Sequence, residues 1–188
     1  MKFDAHGNGG TVSGPLVTAG PIAPSDLTCT TGPGSASNNL SSVNIQGIAS
    51  LSGISTSASG ATDAGGLQTS AAQASVGKLN LLDGLVTADG VSANANATDD
   101  ATGKVSTTGN VTLTNVKVAG AAVTSTAPNT TINLLIGTVV VNEQTSTAAG
   151  GGIAVNALHI KLFGGAVDVV VGHAAAALVP VGSACPAP

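Results

Sequence analysis

The chain has 188 residues, of which 7% are charged, 43% hydrophobic and 1% aromatic, and its five basic residues against nine carboxylates leave a formal net charge of −4. Nucleic acid is excluded as a partner, because phosphate neutralisation needs a basic patch and base stacking needs aromatic side chains. Low charge combined with so much apolar content also excludes a disordered chain, and no run of about 18 apolar residues reads as a membrane-spanning helix.

The predicted elements begin weakly. Met1–Gly10 lacks an apolar run behind a basic start, so it is read as the beginning of a mature chain, a flexible segment rather than a signal peptide. Thr11–Pro24, TVSGPLVTAGPIAP, is β-prone but carries three prolines, which suit an edge strand or an extended arm. Cys29 precedes a loop-like run, TTGPGSASNN, and the only other cysteine is Cys185. A Cys29–Cys185 disulfide joining the two ends of one domain is the expected pairing in an exported protein.

From Ser42 the chain reads as short strands separated by turns, SVNIQGIASLSGISTSASG and then LQTSAAQASVGKLNLL. Val91 to Thr98 alternates without a break, with Val91, Ala93, Ala95 and Ala97 on one face and Ser92, Asn94, Asn96 and Thr98 on the other, the pattern of a half-buried strand. Asp83-Gly84 and Asp89-Gly90 read as two turns just before it. In Val111–Val118 the apolar phase slips, which places a bulge or corner near Asn115. Ile132–Asn142 and Ile153–Leu162 read as strands flanking a loop at Glu143–Gly152, and FGG leads into a last strand, AVDVVVGHAAAALV.

This pattern defines an all-β fold: a single domain over residues 11–185, with a Pro-containing tail at 186–188. A core built from Ala, Val, Leu and Ile fills thin interiors, which favours a β-helix or solenoid, whereas the hairpin-like loops near the C-terminus favour an antiparallel β-sandwich. The solenoid is the expected architecture of the two, although no repeat of fixed period is present.

Two groups of residues could carry chemistry. His159 and Lys161 share the outward face of a strand that buries Leu158, Ile160 and Leu162, and with Asp168 and His173 on the next strand they form a candidate metal or acid–base site. Asp83, Asp89, Asp99 and Asp100, with Asn94 and Asn96, form a candidate calcium site, since weak extracellular calcium sites use closely spaced loop oxygens. The plain reading of both groups is solvated polar residues and ordinary turn chemistry. No catalytic residue and no cofactor beyond calcium is expected; no GxSxG elbow occurs.

The runs LNLLDGLVTADGVSANANAT, NTTINLLIGTVVVNEQ, GGIAVNALHIKL and DVVVGHAAAAL, in that order, resemble the domain of the choice-of-anchor P proteins, secreted surface proteins mostly of actinobacteria. The resemblance spans roughly Thr11 to Cys185. It implies export, an extracellular or cell-surface location and a C-terminal anchor that varies among relatives; the ACPAP ending shows neither a sortase motif nor a hydrophobic tail. It implies no activity and no catalytic residues.

The resulting expectation is a secreted, non-enzymatic structural protein that self-associates into a fibre or coat, with the segment Phe3–Pro24 exchanged as a strand between neighbours. The alternative is an extracellular binding module: adhesin-like, calcium-dependent, or ice-binding through Thr-rich faces such as Thr112 with Thr114. The cell-envelope ligand is left open.

Overall fold

The computed structural model describes residues 1–15, 17–100, 102–147 and 151–185; the tail at 186–188 lies outside them. Fifteen strands make up two sheets. Sheet A holds β1 (Lys2–Ser13), β2 (Thr18–Ile22), β3 (Ser25–Thr30), β12 (Thr130–Leu134), β13 (Gly137–Ser146), β14 (Gly152–Leu162) and β15 (Val167–Val179). Its order is β12-β13-β14-β15-β1-β2, with β3 continuing the β2 edge along β1. Sheet B holds β4 (Gly34–Ile45), β5 (Ala49–Thr62), β6 (Gln68–Leu81), β7 (Val86–Ala88), β8 (Gly90–Asp99), β9 (Val105–Thr114), β10 (Lys117–Val118) and β11 (Ala121–Ala122). Its order is β11-β10-β7-β6-β5-β4, with β8 and β9 continuing β7 and β10 beside β6.

Every strand pair is antiparallel, and β1, β14 and β15 pack across β5, β6, β8 and β9. The molecule is therefore an antiparallel β-sandwich. The expected solenoid is corrected, because stacked coils would place parallel strands side by side. The small-residue composition has another cause: the facing sheets meet over Ala72, Ala74, Ala93, Ala95, Ala97, Ala174 and Ala176, all at most 4% exposed. At Gly9 a Cβ would lie 2.5 Å from the Ile54 methyl, so close approach of the sheets excludes larger side chains. The larger buried groups, among them Phe3, Ile54, Leu81, Leu158 and Ile160, sit in the same continuous core.

The N-terminal segment departs from the expected flexible lead-in: residues 2–13 form β1, which lies between β15 and the β2–β3 edge of the chain's own sheet and buries Phe3 completely. Only β2 takes the edge position that its proline suits.

Each sheet is crossed by a crease where the inside–outside alternation reverses. In sheet B the inward-facing positions step from Leu51 to Ile54, Val76 to Leu79, Ala88 to Val91 and from the half-buried Leu113 to Val116. Gly53 (φ 62°) and Asn115 (φ 50°) lie in these steps, which confirms the corner expected near Asn115. Asp89-Gly90 is part of the same line rather than a chain reversal, since β7 and β8 both run along β6. In sheet A the line passes through Ala23 (φ 47°), Gly172 (φ 64°), Asn142 (φ 51°) and Asn129 (φ 59°). Left-handed residues on some of the strands, with β6 and β14 crossing the line without one, let the inward-facing set change parity while the ladder keeps its register on both sides.

Candidate functional site

The outer face of sheet A gathers all three histidines. Asn8, His173, Asn156 and Glu143 stand opposite one another on β1, β15, β14 and β13, forming one transverse row. His173 Nδ1 lies 2.7 Å from Asn156 Oδ1, and Asn156 Nδ2 donates to Glu143 Oε2 at 2.6 Å. His159 links this row to the β15 start: its Nδ1 lies 2.7 Å from Glu143 Oε2 and its Nε2 lies 2.8 Å from Asp168 Oδ1. Burial acts to raise the Glu143 carboxyl, but hydrogen bonds from Asn156 and His159 outweigh it and hold the group below the usual glutamate range.

On β1, His6 is 6% exposed and stands between two carboxylates. Its Nδ1 lies 2.9 Å from Asp26 Oδ1, and its Nε2 lies 3.3 Å from Asp4 Oδ1. Asp4 also accepts the Cys29 N–H at 3.1 Å. Asp4 raises the His6 pKa most, burial opposes it, and Asp26 adds to the rise. His173 moves the other way, pushed down by burial and by the neighbouring His6 charge. His6, Asn8, Asn156 and His173 line a cleft of about 600 Å³ whose far wall is Pro21, Pro24, Asp26 and Thr28.

The candidate metal set is thus only partly brought together. His159 and Asp168 touch, but carboxylates occupy both nitrogens of the His159 ring, and His173 faces Asn156 one row away. Lys161 stands opposite Asp168 across the β14–β15 ladder. His6 and Asp26 also join this face, from β1 and β3; Gly7 and Gly9, alternating with His6 and Asn8, conceal the first of these strands in the sequence. Among the described residues, no group of three or more His, Cys, Asp or Glu side chains is arranged to hold a metal ion.

The candidate calcium set does not converge. Asp89 precedes the ten-residue strand β8 and Asp99 ends it, about 30 Å apart at the usual rise per residue. Asp89 accepts from Asn115 Nδ2 at 2.9 Å in the crease, and Asp83 sits in the β6–β7 turn with φ 53°. Asp100 Oδ1 accepts from the Thr102 hydroxyl and from the Thr102 and Lys104 amides, which hold its carboxyl below the usual aspartate range. These are turn-forming roles.

The outer face of sheet B is different in kind. Read across β4, β5, β6, β8 and β9, its rows are Asn39-Ser55-Ser75-Ser92-Thr112, Ser37-Ser57-Gln73-Asn94-Asn110 and Ser35-Ser59-Ala71-Asn96-Thr108. A fourth row, Ala61-Thr69-Thr98-Ser106, covers four strands. The array is about 20 Å on a side, without a charged residue, and none of its side chains is buried. Among the described residues only one of its side chains makes a hydrogen bond, Ser75 Oγ donating to the Ser55 carbonyl at 3.4 Å. Thr112, singled out in the sequence, lies in this array, while Thr114 lies just beyond it beside the crease.

These features define a disulfide-clamped antiparallel β-sandwich with two contrasting polar faces, one of histidines and carboxylates and one of uncharged hydroxyls and amides. The chain belongs to the family described as a domain of unknown function, DUF8256, whose model matches residues 2–150. The match includes the whole sheet B array and stops short of β14 and β15. No curated protein matches this sequence. Among solved structures, the chain is similar to Ail, the attachment invasion locus protein of Yersinia pestis, in complex with the heparin analogue sucrose octasulfate, with 7% identity, 94% of each chain covered and a TM-score of 0.22. That score is too low to bear on fold or function.

Proposed function

We propose that this chain is a secreted, non-enzymatic cell-surface binding domain whose working surface is the outer face of sheet B, and that it adheres to an extended hydroxylated solid such as a polysaccharide wall. The observation that carries this reading is the ordered array of Ser, Thr, Asn and Gln side chains whose donors and acceptors are almost all unused within the protein. Repeated weak contacts across such a face add up when the partner is itself repetitive. Export is supported by the Cys29–Cys185 disulfide and by the resemblance to choice-of-anchor P proteins.

The test is co-sedimentation with insoluble β-glucan, with a parallel arm that measures incorporation into slowly grown ice. Wild type is expected in the polysaccharide pellet, and Ser57→Lys with Asn94→Lys should return it to the supernatant. Incorporation into ice without polysaccharide binding would transfer the array to ordered water, and loss of both would end the reading.

A second reading, self-assembly, rests on β4. This twelve-residue edge strand, GSASNNLSSVNI, carries no charge and no proline, the devices by which sheet edges are normally protected from pairing. Filaments seen by negative-stain electron microscopy that disappear on Val43→Pro would favour it.

A further inference from the structure

The two ends of the sandwich differ sharply. At one end lie Met1, the disulfide and the turns bearing Asp63, Asp99, Asp100 and Lys104: Met1 N donates to Gln68 Oε1, Cys29 is bonded to Cys185, and Gln68 stands opposite both Thr62 and Asp99. At the other end, two neighbouring connections of sheet A, residues 134–137 and 162–167, contain no charged residue and no histidine, with Lys161 and Asp168 just outside the second. They are neighbours by register, since Gly137 stands opposite Leu162.

Both turns expose large apolar side chains. Leu135 is 104% exposed, Phe163 63% and Ile136 40%. The Phe163 N–H donates to the Ile136 carbonyl at 2.8 Å, so the two turns are joined at one tip. Phe163, one of only two aromatic residues in the chain, holds φ 52°, a conformation that a bulky L-residue adopts at a cost and that glycine or asparagine would take more easily. An apolar side chain held in an unfavourable conformation and facing water calls for a partner.

We infer that this tip docks onto a lipid surface, inserting Leu135, Ile136 and Phe163 among the acyl chains of a neutral bilayer. The exposed apolar area is roughly 400 Å², about half of what each partner contributes to a stable protein interface, which disfavours a second copy of the chain as occupant. The tip is a convex pair of turns rather than a groove, so it suits a deformable apolar phase better than a rigid peptide. The absence of basic residues from these turns, with a net charge of −4, points to zwitterionic rather than anionic lipid. Anything joined to residue 1 leaves from the opposite end, clear of the contact.

The experiment is co-sedimentation of the oxidised chain with phosphatidylcholine vesicles at low and high salt. The bound fraction is expected to be independent of salt, and Leu135→Asp with Phe163→Asp should weaken the partition at least tenfold. Both positions are exposed, so the thermal midpoint of the double variant should match wild type, and Leu40→Asp on β4 should bind as wild type does. Failure of wild type to pellet, or unchanged pelleting of the double variant, would overturn the inference. So would a concentration-dependent dimer in analytical ultracentrifugation that the double variant abolishes, which would assign the tip to a second copy. Sheet B variants such as Ser57→Lys should leave vesicle binding intact, so this result stands apart from the polysaccharide reading.

Discussion

His6 and His173 are diagonal neighbours on β1 and β15, since His6 stands opposite Ala175, two residues along from His173. Their surroundings shift them in opposite directions. The Asp4 and Asp26 carboxylates favour the charged ring of His6 against burial. Its contribution to stability is therefore complete below the unfolded value of about 6.5 and is lost as pH rises through the higher folded value. Burial disfavours charge on His173, so its penalty is absent above about 6.5 and grows as pH falls through the lower folded value. Urea midpoints measured from pH 5 to 9 should show His6→Gln reducing the decline on the alkaline side and His173→Asn reducing the decline on the acid side. Identical profiles for wild type and both variants would show that neither ring senses its neighbours. The depressed Glu143 carboxyl adds stability above the usual glutamate value that disappears only at more acid pH, as it becomes protonated.

The crease governs events at the level of the strand. At Gly53 (φ 62°) a Cβ would meet only Gly77, at 3.5 Å, so space is available and the backbone alone penalises substitution. Gly53→Ala should cost about 1–2 kcal/mol, whereas Gly77→Ala, without positive φ and with its Cβ nearest the Ser52 carbonyl oxygen at 3.3 Å, should cost less; chemical denaturation distinguishes the two. Close packing dominates at Gly9 instead, where the Ile54 methyl must move, and Gly9→Ala should cost roughly 1–3 kcal/mol. Strands that alternate real side chains were legible in the sequence: Val91, Ala93, Ala95 and Ala97 are all buried, with the polar set facing out. So was the slip at Asn115, because the apolar positions change phase between Leu113 and Val116. By contrast, β1 was not legible, because Gly7 and Gly9 take inward positions and glycine carries no hydrophobic signal. Leu134 to Gly137 also reads as strand interior, since turn chemistry is recognised by polar residues and this turn is Leu135-Ile136. The loop expected at Glu143–Gly152 likewise hid the end of β13, where Glu143 and Gln144 belong to the ladder.

At the scale of the molecule, composition identified a thin, all-β interior but could not decide between a coil of parallel strands and two close sheets, because alanine and glycine serve both. The histidine-lined cleft depends on strands far apart in sequence: β1, β14 and β15 meet only because the first and last strands pair. The disulfide pairing, by contrast, followed from cysteine count alone, and its Cα atoms lie 6.0 Å apart. Closing a loop with a sequence separation of 156 should add about 5 kcal/mol by restricting the unfolded chain. Cys29→Ser with Cys185→Ser should therefore lower the denaturant midpoint substantially while leaving the all-β circular dichroism spectrum in place.

The same bond also determines how the domain would answer a pulling force. Tension applied between residue 1 and residue 185 passes through β1, β2 and β3 to Cys29 and then directly across the sulfur bridge. Everything between the cysteines, including all of sheet B and the tip at Leu135 and Phe163, lies outside the load path. Stretched in the oxidised state, the domain can lengthen only by peeling its first three strands, a contour gain of roughly 100 Å; once reduced, it can be drawn out several times further. A domain built this way yields a short, fixed extension and then holds, with the outer face of sheet B and the tip outside the stretched segment, while the histidine-lined cleft, which shares its walls with β1, β2 and β3, comes apart.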